Sequence, residues 1–184
     1  MKQFRKIKLI LIVLGIIFLF VNFGIANENI TIKLGHHHNV GSNEDLTANE
    51  FKKLVEGESG GKIEIQIFPG AQLGQETEAA QGVLLGTLQM TIVTPDKFKD
   101  NIFGMGIDGL PFLFKNMDEQ KKIMDLNSLV GSKLNERMIA KGARILGWYG
   151  YGSRQLIFVN KNVKTFDELK GLKMRSPESD VFIE

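Results

Sequence analysis

Cysteine is missing from the chain altogether. That absence removes disulfide frameworks, thiolate zinc sites and thiol nucleophiles together, while leaving the compartment open. Histidine is nearly as scarce, and all three copies, His36, His37 and His38, stand side by side. No histidine elsewhere is left to act as a base for Ser153, and Gly152-Ser153-Arg154 does not make a G-x-S-x-G elbow. Excess charge of one sign is also lacking. Lys2, Arg5, Lys6 and Lys8 precede residue 27 with no acid among them, so without that segment the formal charge of +2 falls by four to −2. Such a balance gives no electrostatic reason to expect nucleic acid. There is no internal repeat and no low-complexity tract.

No apolar run is long enough to span a bilayer. Leu9 to Val21 is about thirteen residues, a helix of ~20 Å against a hydrocarbon core of ~30 Å. Lys2 to Lys8 form a basic segment before it, and Gly24 and Ala26 supply small residues at the −3 and −1 positions of a cleavage site. Residues 1–26 therefore read as a signal peptide cleaved near Ala26, and the protein as exported to the periplasm. An uncleaved anchor is the other reading; a lipid anchor is excluded because no cysteine follows.

What remains has an ordinary globular make-up within 184 residues, 43% hydrophobic and 24% charged. Thr31–Leu34 and Lys62–Phe68 read as strands, the second with Ile63, Ile65 and Ile67 on one side. Between them Ser42 and Asp45 form a possible capping box, opening a helix that buries Leu46, Phe51, Leu54 and Val55 and stops at Gly60-Gly61. A second helix spans Gln75–Leu85 and a strand Leu88–Thr94. A long helix is expected over Met117–Lys141, from Ile123, Leu126, Val130, Leu134 and Met138 at helical spacing. Ala143–Trp148, Gln155–Asn160 and Leu172–Arg175 read as further strands, with Thr165 and Glu168 boxing a short helix before the last. Strands alternating with helices predict an α/β fold with a largely parallel sheet, binding its ligand beyond the carboxyl ends of the strands.

Three patterns invite a chemical reading. Gly104, Gly106 and Gly109 fit G-x-G-x-x-G, but Leu110-Pro111-Phe112 follows where a helix should open, so a turn is expected and no nucleotide cofactor. The histidine run suggests a metal, yet on an extended backbone alternate rings face opposite ways and cannot all converge on one ion. Glu76 and Glu78, two apart on a helix, do not face each other as paired catalytic acids must. No catalytic constellation is found. Arg154 and Arg175, each at the edge of an expected strand, are better candidates, because a guanidinium fork suits a carboxylate. The plain alternative is a surface arginine paired with an acid.

Ser59-Gly60-Gly61-Lys62-Ile63, Phe68-Pro69-Gly70-Ala71-Gln72-Leu73-Gly74, Leu110-Pro111-Phe112-Leu113-Phe114 and Gly152-Ser153-Arg154-Gln155 come in order along the chain. Asp167-Glu168-Leu169-Lys170-Gly171-Leu172-Lys173-Met174-Arg175-Ser176-Pro177 follows. In this order and spacing the chain resembles the DctP-type substrate-binding proteins of tripartite ATP-independent periplasmic (TRAP) transporters. The resemblance implies a two-lobed periplasmic-binding-protein-like fold closing on a carboxylate-containing solute, with residues 27–152 as the first lobe and 153–184 as the start of the second. It implies no enzyme activity and no cofactor. The expected partners are a small organic-acid ligand and a TRAP transporter's membrane subunits, and the protein is expected to be a monomer.

The main carboxylate-binding arginine of the family falls on Arg175 and a second cleft arginine on Arg154. Other cleft positions fall on His37, Glu76, Thr94 and Glu178. Thr94 stands where sialic-acid-binding members carry an acid, which counts against that sugar. Family members run well beyond this length, so the chain is expected to be a fragment. Two rivals are a secreted metal-binding module using His36–His38 and a remnant that binds nothing.

Overall fold

The computed structural model describes residues 29–150, 152 and 155–176. The expected signal peptide, Arg154 and Glu178 lie outside the described residues. Three strands form a parallel sheet in the order β2-β1-β3, with β1 Ile30–His36, β2 Ile63–Phe68 and β3 Met90–Ile92. The register pairs Leu34 with Ile67 on one side and with Met90 on the other. Helices α1 (Asn43–Glu58) and α2 (Glu76–Leu85) make the two crossovers. The chain thus leaves β1 to build one flank and returns past it to build the other. This is the mixed helix and parallel-sheet architecture expected from the alternating pattern.

One core layer joins Leu34, Ala48 and Ile65, all at most 1% exposed, with Phe51 and Val55 of α1 packed against them. Ile63, Ile65 and Ile67 all reach this layer, as their alternation predicts. The helix face differs from expectation: Leu46 and Leu54 are more than half exposed. Ala48, Phe51 and Val55 follow the three-and-four spacing of a single face, and Ala48 is small enough for a close approach to the sheet.

The outer edge of β2 is closed by side chains. Ile30 N–H bonds the Lys62 carbonyl, and because alternate residues of a strand turn to alternate edges, Ile63 and Ile65 point their backbone outward. Ser59 Oγ accepts from Ile63 N–H, Glu56 Oε1 accepts from Ile65 N–H at 2.9 Å, and Lys52 Nζ donates to the Ile65 carbonyl. These contacts occupy groups that would otherwise template another strand. The Lys52 bond and the Ile65 amide together hold the Glu56 carboxyl below its ordinary range.

A second core gathers Ala80, Phe98, Ile102, Met105, Met124, Leu134 and Met138. The expected long helix is two, α3 (Met117–Met124) and α4 (Leu129–Ile139). Asp125 Oδ1 accepts from Asn127 N–H, and Ser128 Oγ caps α4 by accepting from Gly131 N–H. The apolar period runs through Asp-Leu-Asn-Ser unbroken, but local side-chain bonds there outcompete the helix.

Ala143–Trp148, Gln155–Asn160 and Leu172–Arg175 carry no ladder. Alternation prepares a strand, but a strand is completed only by pairing with a neighbouring edge, and among the described residues these segments pair with none. Ala143, Ile145 and Trp148 instead lean on the second core, with Ile145 N–H held by Asn135 Oδ1. Around Thr165 only a 3-10 turn forms, Asp167–Leu169. Thr165 Oγ1 donates to Glu168 there rather than capping an amide. Gly104 and Gly106 take positive φ in turns. Among the described residues no helix is long and apolar enough to cross a membrane.

Candidate ligand site at the carboxyl ends of the strands

A parallel crossover returns each helix to the sheet so that its first turn lies near the end of the strand before it. Glu44 and Asp45 open α1, and Glu76 opens α2. His36 ends β1 with His37 and His38 just beyond, while Thr94, Asp96 and Lys97 follow β3. A polar cluster therefore forms where the chain reverses across β1.

Strand parity sends His36 and His37 in opposite directions, as expected. His36, 2% exposed, has Nε2 3.4 Å from Asp45 Oδ1 of α1. His37 has Nδ1 3.5 Å from Glu76 Oε1 of α2. The alternation fails at His38, because β1 ends at His36: the His37 and His38 rings lie 3.8 Å apart, tilted by 42°. His38 Nδ1 is 3.5 Å from Glu44 Oε2. Among the described residues no three His, Asp or Glu side chains are arranged to hold a metal ion.

The loop after β2 holds this turn in place. Gly70 N–H donates to the His38 carbonyl at 2.8 Å and Ala71 N–H to the His36 carbonyl at 3.0 Å. Gly70 and Ala71 adopt φ of 63° and 61°. Glycine takes this conformation freely, whereas Ala71 is strained in it. The Phe68-Pro69-Gly70-Ala71-Gln72 stretch is thus the clamp on the histidine turn.

Of the residues expected in the cleft, three come together. Glu76 Oε1 accepts from Thr94 N–H at 3.0 Å and Thr94 Oγ1 at 3.2 Å, beside His37. Its other oxygen is 4.0 Å from Lys97 Nζ, which also sits 3.2 Å from Asp96. Arg175 is exposed. Glu44, Asp45, Asp96 and Lys97 are additions that sequence reasoning missed, and His38, named there only for a metal, joins them. Asp45 was expected in a capping box with Ser42. Ser42 Oγ does accept Asp45 N–H, but Asp45 Oδ2 takes Gly41 N–H instead of returning to Ser42. An acid in the first turn of a helix that follows a strand-end histidine was the available signal.

Burial, followed by the neighbouring His37, lowers the proton affinity of His38 from its ordinary value of 6.5, while Glu44 and Glu76 pull the other way. With the folded value below the unfolded one, the unfolded chain binds this proton more readily. Stability at neutral pH should therefore decline as the pH falls below 6.5. Thermal midpoints between pH 7.5 and 5.5 should show the decline, and His38→Gln should flatten it.

Comparison with known proteins places these features. The family model for bacterial extracellular solute-binding protein, family 7 (DctP), matches residues 34–184. The C4-dicarboxylate-binding periplasmic protein DctP of Vibrio cholerae is 30% identical over 155 residues, 84% of this chain and 46% of that one. A TRAP periplasmic solute-binding protein of Haemophilus influenzae, solved with bound L-gulonate, is 33% identical with a TM-score of 0.67. That match covers 78% of this chain and 46% of the other. One from Chromohalobacter salexigens with bound D-glucuronate is 25% identical with a TM-score of 0.75, covering 81% and 49%. The chain spans about half the length of the relatives it matches.

Proposed function

Since this chain belongs to the bacterial extracellular solute-binding proteins of family 7, we propose that it serves as the first lobe of a receptor for a sugar acid. In this reading the receptor is periplasmic and non-catalytic, and delivers its solute to the membrane subunits of a TRAP transporter. Residues 27–152 form the first lobe and 153–184 begin the second. The observation that carries the reading is the convergence of His37, Glu76 and Thr94 at the ends of β1 and β3.

The chemistry of that convergence favours a polyhydroxylated acid. Glu76 is already positioned by two bonds from Thr94, so it presents a fixed acceptor for ligand hydroxyls, with the His37 imidazole beside it. An acidic wall is a poor seat for the ligand's own carboxylate. That group is assigned to Arg175, with Arg154 as a second cation and Glu178 as a further polar contact. Bound L-gulonate and D-glucuronate in the two solved relatives support a ligand of this class.

Calorimetry with D-glucuronate, L-gulonate and succinate tests the reading. Sugar acids should bind more tightly than succinate. Charge-assisted hydrogen bonds contribute roughly 1.5–3 kcal/mol each, so Arg175→Ala should weaken binding by about 10- to 150-fold. Undiminished affinity in that variant would remove Arg175 from the site.

A further inference from the structure

The mouth formed by the strand ends contains more negative charge than an acid-binding surface should. Glu44 and Asp45 face the histidines from α1, and Glu76 from α2. The segment after β3 adds Asp96 and one cation, Lys97, which contacts both Asp96 and Glu76. Among the described residues four carboxylates thus meet one ammonium here, so even a ligand whose carboxylate is held by Arg175 meets a net negative wall unless positive charge is added.

The histidine turn can supply it. His37 and His38 side chains are 29% and 23% exposed, within reach of solvent protons, whereas His36 is sealed. His37 Nδ1, together with both ring nitrogens of His36, is buried with no hydrogen-bond partner. Each imidazole stands 3.4–3.5 Å from its own carboxylate. A proton placed on the turn would therefore sit within ion-pairing distance of a carboxylate.

We propose that capture of an acidic ligand at this mouth is coupled to uptake of one proton by the His37–His38 pair, an inference that rests on the carboxylate-binding reading above. One proton is the limit because the rings are 3.8 Å apart, where two charges repel each other. The reduced proton affinity of His38 in the free protein fits this coupling. Linkage then requires reciprocity: if an anion raises the pair's affinity for a proton, the proton raises affinity for the anion by the same factor.

The test is calorimetry of D-glucuronate binding to the full 184-residue chain at pH 5.5, 6.5 and 8.0. Using two buffers of different ionisation enthalpy lets the heat report proton uptake. Up to one proton should be taken up per ligand near pH 6.5, with affinity rising by as much as tenfold per pH unit on acidification and levelling off above pH 8. In His37→Gln/His38→Gln the uptake and the pH slope should both vanish, whatever affinity remains. Binding without proton uptake, or uptake that persists in the double variant, overturns the coupling and leaves the carboxylate reading standing. Absence of glucuronate binding at every pH counts against both.

Discussion

Gly131→Ala should destabilise the protein by about 3 kcal/mol, at the upper end of what overpacking a well-filled site costs. Gly131 is buried in the first turn of α4, where its N–H is the group that Ser128 caps. A methyl group there would press on the backbone carbonyl oxygens of Met124 and Asp125 at the end of α3. Those atoms cannot rotate away as a side-chain tip can. Relief would require separating α3 from α4, and with them Met124, Leu134 and Met138 of the second core. Gly57→Ala should have the opposite sign. It is exposed in the last turn of α1 with nothing within 4 Å of an added Cβ, so replacing glycine at this compatible backbone position should stabilise by about 0.4–1 kcal/mol. Urea unfolding of both variants reads the comparison, and equal effects would refute it.

Ile65→Ala should cost about 2–5 kcal/mol, the range for deleting a large aliphatic side chain from a packed core. Ile65 is 0% exposed and meets Leu34 and Ala48 at the point where α1 rests on the sheet. Its backbone is also the one held by Glu56 and Lys52. Collapse into the cavity is therefore opposed by hydrogen bonds at the edge, placing the cost toward the upper half of the range. Ile65→Val should cost only about 0.5–1.5 kcal/mol. Denaturant midpoints for the pair measure the difference, and an alanine cost below the valine range would mean that the layer is not packed as described.

The single-face alternation of Ile63, Ile65 and Ile67 was readable because a strand side chain's direction depends only on parity. Glu76, Thr94 and His37 were named as site residues through the family motif. Nothing in their spacing reveals that an acid at position 76 meets a threonine eighteen residues later. The Asp125–Ser128 break was misread because the apolar period continues across it, and the competition between cap and helix is local chemistry that a period does not register. Leu46 and Leu54 were read onto the packing side because, with Phe51 and Val55, they fall near one face of the helix, yet both are exposed. The face that packs is the one bearing Ala48, whose contribution is its small size.

Residue order alone determined that strands and helices alternate, that thiol chemistry is excluded and that one histidine turn holds every imidazole in the chain. These follow from side-chain period and composition, which need no partner. Tertiary structure decided which acid each histidine faces, which edge of the sheet is closed and which predicted strands pair. Those outcomes depend on segments far apart in sequence meeting in space, and the crossovers that return α1 and α2 to β1 bring them together.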